Sequence, residues 1–249
     1  MIDPARVPKS ILVVDVGGTR LKILATGETE PRRKRSGLGL TPQHMVEIVR
    51  DLAGDWQYDA VSIGYPGQVG DHGPRQEPGN LGPGWVGFNF AAAFDRPVRI
   101  INDAAMQALG SYDGGRMLFL GLGTGLGSAL IAENVIVPLE LGSIPEPGGR
   151  SLGDVLGRRG LRRAGKRRWR RAIAWAVPAL MAATLADYVV LGGGNAKQIR
   201  VQPPGSRLSN NLTAFRGGFR LWHLDDVRTL RDGEEPPPEP PKPAAWRLI

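Results

Sequence analysis

Three β-branched or leucine-rich runs in this chain each end in a glycine-rich turn, and an Asn-Asp pair lies between the first and the second. The turns are Asp15-Val16-Gly17-Gly18-Thr19 after residues 11–14, Gly121-Leu122-Gly123-Thr124-Gly125 after 117–120, and Gly192-Gly193-Gly194 after 188–191. Glycine lets a backbone turn sharply and approach a ligand with no Cβ in the way. The N–H groups freed at such a turn form a nest for phosphate oxygens. One such turn is commonplace for steric reasons alone. Three in order, with acidic residues at two strand ends, point to a phosphoryl-transfer site.

Composition narrows the field. At 249 residues the chain can build one large domain or two smaller ones with real cores, and its 41% hydrophobic share is ordinary for a globular protein. No apolar run approaches the roughly 18–20 residues that cross a bilayer, and residues 1–10 lack a signal-peptide core. The longest apolar stretch, 172–186, is alanine-rich and holds Pro178 and Thr184, which suits a core helix. No membrane partner is expected. The absence of cysteine excludes disulfides, a thiol nucleophile and cysteine-ligated zinc, and suits the cytoplasm. His44, His72 and His223 show no metal-ligand spacing.

The net charge of +8 is unevenly spread, because residues 158–171 carry nine Lys or Arg and no acid. Such a field attracts polyanions. It equally suits the solvated face of a helix in an arginine-rich chain, and both readings stay open here.

Along the chain, 1–10 reads as a tail, 11–16 as a buried strand, 21–26 as its hairpin partner and 32–35 as an edge strand. Thr41-Pro42 opens a helix to about Ala53, with Met45, Ile48, Val49 and Leu52 on one face. A strand at 60–63 leads to Gly64-Tyr65-Pro66-Gly67, and 70–87, rich in glycine and proline with Asn80 inside, is a long loop of the functional kind. A short helix at 88–94 and a strand at 98–101 follow, delivering Asn102-Asp103 to a strand end, where one of them caps a helix to about Leu109. The pattern then recurs: strands at 116–120, 128–132 and 135–137, a basic helix to about Thr184 kinked by Pro178, and a strand at 188–191. This recurrence predicts two similar α/β lobes with a cleft between them, 11–111 and 112–231. The proline-rich 232–249 reads as a disordered tail.

Phosphoryl transfer needs positioned phosphates, a divalent ion and an acceptor for the attacking hydroxyl's proton. Gly17, Gly18 and Thr19 can hold one phosphate group and Gly123, Thr124 and Gly125 another, from opposite lobes. Asp15 at a strand end can hold Mg²⁺ through water, since magnesium prefers carboxylate and water oxygens. Lys22 can add a positive charge there, although the outer face of its strand is the more natural place for it. Asp103, brought to the same cleft, is the natural base for a sugar hydroxyl, although a plain helix cap would also explain it.

As a set, Asp15-Val16-Gly17-Gly18-Thr19, Gly64-Tyr65-Pro66-Gly67, Asn102-Asp103-Ala104, Gly123-Thr124-Gly125-Leu126-Gly127 and Glu140-Leu141-Gly142 resemble the ROK sugar kinases. That family belongs to the actin-like, ribonuclease H-like ATPase superfamily, so the resemblance implies two actin-like lobes around a substrate cleft. It spans roughly residues 10–200 and is strongest toward the polyphosphate glucokinase branch, through Gly64-Tyr65-Pro66-Gly67, Trp85 after a sugar-loop asparagine, and the spacing from Glu140 to Gly192.

The resemblance implies transfer from polyphosphate or ATP to the 6-hydroxyl of glucose or a related hexose. Asp103 would be the base, Asn80, Asn102 and Glu140 would bind sugar hydroxyls, and Gly192, Gly193 and Gly194 would face adenosine or the equivalent donor region. Two departures stand out: Ser143 occupies the usual position of a histidine, and the cysteine-rich zinc motif of many members is absent, so no zinc is expected. Ser143 can still offer a hydrogen bond to the sugar. A homodimer is compatible with this reading. A catalytically weakened sugar- or nucleotide-binding regulator of the same fold is the alternative. Nucleic acid is not an expected partner, because no helix-turn-helix pattern precedes the kinase-like region.

Overall fold

Two meanders of antiparallel strands, each extended by two parallel strands, organise the chain. The computed structural model describes residues 8–210 and 212–222; most of the expected tail 1–10, all of 232–249, and His223 lie outside the described residues. β1 (Ile11–Val16) is buried at every position, as a Val/Ile-rich central strand should be. β2 (Arg20–Ala25) and β3 (Arg32–Arg35) complete the first meander, and β4 (Ala60–Tyr65) and β7 (Val98–Asn102) add in parallel, giving the sheet order β3-β2-β1-β4-β7. The second sheet repeats this plan. β8 (Met117–Leu122), β9 (Leu126–Ala132) and β10 (Val135–Leu139) form the meander, and β11 (Tyr188–Gly192) and β12 (Ser206–Leu208) extend it in the order β10-β9-β8-β11-β12. The duplication expected from the recurring turns is thus a duplication of topology.

Helices fill the layers between and outside the sheets. α1 (Pro42–Ala53) starts as its sequence predicts, with Thr41 Oγ1 accepting from the His44 amide and Pro42 in the first turn. Its buried Met45, Ile48 and Val49 cover the outer face of the first sheet together with Phe90 and Phe94 of α2 (Phe90–Phe94). α4 (Leu152–Leu156) and α5 (Arg158–Ala183) cover the outer face of the second sheet through Leu156, Trp169, Ile173, Val177 and Leu180. α3 (Asp103–Ser111) and α6 (Thr213–Arg220) lie between the sheets, where Ala105, Met106, Leu109 and Phe215 share one core with Val13, Phe119 and Val190.

Several details depart from the sequence reading. The loop expected at 70–87 contains a two-stranded ladder between β5 (Val69–Gly70) and β6 (Gly73–Pro74). α5 is broken at Gly165, whose φ of 72° and ψ of 161° leave the helical range, whereas Pro178 continues the helix. Neither α4 nor α6 was expected. α4 carries a capping box, with Ser151 and Asp154 each bonded to the other's backbone amide. α6 contains Gly217-Gly218, a residue type that ordinarily weakens a helix. Those glycines serve packing, since a Cβ at Gly217 would stand 1.8 Å from the Met106 carbonyl oxygen and one at Gly218 2.2 Å from Val13 Cγ1. A buried chain of hydrogen bonds fastens this helix to the first sheet: Trp222 Nε1 donates to Ser62 Oγ at 2.8 Å, and Ser62 Oγ donates to the Gly218 carbonyl at 2.6 Å. Each such bond adds on the order of 1 kcal/mol net. α6 therefore follows the second sheet in sequence but packs on the first.

Candidate active site

β1, β4 and β7 run parallel, so their carboxyl ends emerge side by side. Asp15 lies beside Gly64 across one ladder, and Tyr65 beside Asn102 across the next. The missing side chain at Gly64 is what permits the approach of α3. A Cβ there would stand 2.3 Å from Met106 Cε and 3.6 Å from Asp103 Cα. Three neighbouring strand ends thus bring Asp15 and Asp103 into one corner of the molecule.

Asn102, not Asp103, caps α3. Its Oδ1 accepts from the Ala104 and Ala105 amides at 3.0 and 3.1 Å, and its Nδ2 donates to the Gly67 carbonyl at 3.1 Å. One amide hydrogen of Asn102 remains for a ligand. Asp103 is released from the capping role that the sequence left open. Its Oδ1 accepts from the Ala104 amide at 2.8 Å, and no side chain among the described residues donates to its carboxylate. Burial, then the charge of Asp15, then that of Glu140 raise its carboxyl from the ordinary 3.8 to about 7, against the opposing pull of the backbone amide. A carboxyl poised near neutrality suits a general base.

The first glycine turn is held from several sides. Lys22 does not point outward: it is the cross-strand partner of Asp15, and its Nζ lies 2.7 Å from Asp15 Oδ2. Directly paired residues of an antiparallel ladder share a face, and this is the physical reason for the correction. The Gly17 amide donates to the Arg20 carbonyl at 3.1 Å, the Ser36 amide to the Thr19 carbonyl at 3.3 Å, and Ser36 Oγ to the Gly17 carbonyl. Among the described residues the Gly18 and Thr19 amides donate to no protein group, so they can take an anion.

Asn80 lies over this turn, so close that a Cβ at Gly18 would stand 2.4 Å from its Nδ2. The Asn80 Oδ1 is buried and accepts no hydrogen bond from the described residues. Its loop is anchored by Trp85, fully buried against Tyr65 and Phe90 with Nε1 donating to the Leu40 carbonyl. Glu77 accepts from the Trp85 and Val86 amides, and the Tyr65 hydroxyl, its pKa raised mainly by burial, donates to the Gln76 carbonyl at 2.7 Å.

Glu140 follows β10 at the edge of the second sheet. Buried Ser128 of β9 sets its place by donating to the Leu139 carbonyl at 2.7 Å and accepting from the Leu141 amide at 3.1 Å. Ser143 is exposed, and its hydroxyl donates to the Glu140 carbonyl at 2.7 Å. Its proton is therefore engaged locally, leaving acceptor capacity for a sugar hydroxyl.

The second and third glycine turns sit together at the ends of β8 and β11, where Gly121 and Gly192 are ladder partners. Gly123, Thr124 and Gly125 form the tip of the β8–β9 hairpin. Asn195 ties the third turn to the second, its amide donating to the Leu122 carbonyl at 2.9 Å and its Nδ2 to the Gly123 carbonyl at 2.8 Å. The Arg158 amide, opening α5, donates to the Gly123 carbonyl at 3.0 Å and approaches that of Thr124 at 3.3 Å. Thr124, Gly125, Gly193 and Gly194 are exposed, and their amides donate to no protein group among the described residues.

Sequence reasoning placed Lys22 on the wrong face and missed Ser36, Ser128 and Asn195. Lys22 was legible in principle from its hairpin register with Asp15, and Asn195 from its place directly after three glycines. Ser36 and Ser128 gave no local signal, because their partners are backbone groups brought near only by folding.

No protein-family model matches the sequence, and none of the curated proteins compared resembles it in sequence. Solved structures do match its fold. The inorganic polyphosphate/ATP-glucomannokinase from Arthrobacter sp. strain KM superposes with a TM-score of 0.73 at 21% identity, covering 86% of this chain and 98% of that one. A ROK family glucokinase from Streptomyces griseus, in complex with glucose and AMPPNP, gives 0.66 at 17% identity, covering 85% and 98%. A ROK family protein from Streptococcus pneumoniae TIGR4, in complex with sucrose, gives 0.65 at 14%, covering 86% and 97%. The chain has the two-sheet, actin-like fold of the ROK sugar kinases.

Proposed function

We propose that this chain is a ROK sugar kinase that transfers a phosphoryl group from polyphosphate or ATP to the 6-hydroxyl of glucose or a related hexose. The observation that supports it most is Asp103, uncapped, poised near neutrality and set beside a turn with two free amides. In this reading Asp103 takes the sugar hydroxyl proton while that oxygen bonds the terminal phosphorus and the bridging P–O bond breaks, leaving ADP or a polyphosphate one unit shorter. The free amides of Gly18 and Thr19, and of Thr124 and Gly125, hold phosphate oxygens, with Gly17 and Gly123 shaping the turns. Gly192, Gly193 and Gly194 face the rest of the donor. Asn80, Glu140, the spare Asn102 hydrogen and Ser143 bind the sugar, and a hydroxyl donor would satisfy the lone Asn80 Oδ1.

Among the described residues no group of three or more His, Asp or Glu is placed to cage a metal. That fits Mg²⁺, which needs only one or two carboxylates beside phosphate and water oxygens. Asp15 would hold it through water by Oδ1, its Oδ2 being paired with Lys22. When bound, Mg²⁺ would neutralise charge on the transferring phosphates. We further take 11–111 and 112–231 as the two lobes, with α6 crossing back, and place the protein in the cytoplasm as a candidate homodimer. No helix among the described residues is long and apolar enough to span a membrane.

The second reading, a non-catalytic regulator, draws on Ser143 with its engaged hydroxyl. A coupled assay for sugar 6-phosphate, run with ATP and with polyphosphate over a panel of hexoses, separates the two. Product with either donor is expected. Sugar binding with no product from any pair would leave the regulator.

A further inference from the structure

The nine cations of residues 158–171 exceed the whole-chain net charge of +8, leaving 23 basic against 24 acidic residues elsewhere. The structure separates them by use. Arg159 pairs with Asp154, while Arg163 and Arg170 donate to the carbonyls of Asp154 and Gln198. Arg162, Lys166, Arg167, Arg168 and Arg171 are exposed and have neither an ion pair nor a hydrogen bond among the described residues. Beyond the break at Gly165, Arg167 and Arg171 stand one helical turn apart with Arg168 beside them, opposite the buried face of Trp169, Ile173 and Val177. A purely structural helix needs no such unneutralised stripe, because like charges at this spacing repel.

The stripe has a defined starting point. α5 opens at the second glycine turn, with the Arg158 amide bonded to the Gly123 carbonyl. Free turn amides, a helix start and a run of unpaired cations therefore follow one another along the chain, with the break at Gly165 between Arg162 and the rest.

We propose that the outer face of α5 is the track for a long inorganic polyphosphate whose reacting end lies at Gly123, Thr124 and Gly125. This rests on the reading of that turn as a donor site and names the donor it favours. Several cations contact successive phosphates at once, so binding releases several counterions and weakens steeply with salt. A nucleotide triphosphate reaches only the turn and gains little from the stripe.

The test compares wild type with a variant carrying Arg162→Gln, Arg167→Gln, Arg168→Gln and Arg171→Gln, and with the fourfold Arg→Lys variant. Binding of long-chain polyphosphate and of ATP is measured across a salt series without sugar, and turnover with each donor is measured separately. The Gln variant should flatten the polyphosphate salt slope by about 0.7 per contacted cation. Its polyphosphate KM should rise on the order of tenfold, as expected for a loss of about 1.4 kcal/mol, with ATP kinetics unchanged. The Lys variant should behave like wild type. Equal effects on both donors, or no effect on either, overturn the track. So does tighter binding of single-stranded DNA that is weakened by Trp175→Ala, since the 66% exposed Trp175 continues this face and would stack on bases. Salt-sensitive polyphosphate binding without turnover of either donor would keep the track and remove the kinase reading. Turnover with ATP and no preferential polyphosphate binding would do the reverse.

Discussion

At the end of β1 the glycine turn stands beside a carboxylate and its lysine; at the end of β8 it stands beside neither. The first turn is surrounded by Asp15, Lys22, Asp103 and Glu140, and burial, reinforced by the like charges of Asp15 and Glu140, drives Asp103 up to about 7. The second is bounded by an asparagine, a helix start and arginines, with no acid between residues 158 and 171. Two turns that share a pattern of glycines and the same place in duplicated sheets thus differ in sign. Beside its anion-binding amides the first side can also take up a proton and hold a cation, whereas the second offers only amides and positive charge. Phosphoryl transfer needs both.

The largest expected effect comes from removing the base. Asp103→Asn should lower kcat about 10²–10⁴-fold with the fold and sugar affinity retained; near-native turnover would end that assignment. The same variant has a stability signature. The folded state holds a proton on Asp103 that the unfolded chain releases near 3.8, so this contribution is full below 3.8 and is lost as pH rises through about 7. Asparagine loses nothing over that range. The Tm of Asp103→Asn relative to wild type should therefore climb between pH 4 and 7 and level off above.

Next come the two other acids. Asp15→Ala should impair turnover and alter its magnesium dependence while calorimetric sugar affinity survives; Glu140→Gln should weaken the sugar first. Identical losses in the two variants would erase the division of labour between them.

The pH profile sharpens the contrast in sign. kcat/KM should fall tenfold per unit below about 7, because the base must be ionised. Lys22→Met leaves the Asp15 charge unpaired and should move that inflection upward, whereas Asp15→Asn should move it downward. A profile unmoved by either would mean that Asp15 does not act on Asp103.

On the opposite side, Asn195→Ala removes the Nδ2 bond that joins the third turn to the second. The KM for both donors should rise by up to about tenfold, the scale of one hydrogen bond, with sugar KM unchanged. The smallest effect expected is from Ser143→His, which should raise glucose affinity modestly if an imidazole there contacts the sugar. No change would show that Ser143 is remote from it.

Much of this was legible before any coordinates. β1, α1 with its Thr41 cap, the strand into Asn102-Asp103 and the repeated strand-and-turn pattern follow from local chemistry, since side-chain period, capping and glycine at turns act over a few residues. What failed involved distant backbones. No helix was expected over Gly217-Gly218, whose packing role shows only once Met106 and Val13 are found pressed against it, and Lys22 looks outward until its register with Asp15 is known.

The sequence by itself thus determined which residues could do the chemistry, because glycines, carboxylates and cations carry their character wherever they stand. Only the tertiary structure decided their roles. It gave the cap to Asn102 and left Asp103 free, and it buried Asp103 with Asp15 and Glu140 near enough to help raise its carboxyl to about 7. It also set the unpaired arginines beyond the second turn. A pKa and a binding surface are properties of neighbours, and neighbours separated by tens of residues meet only when the chain has folded.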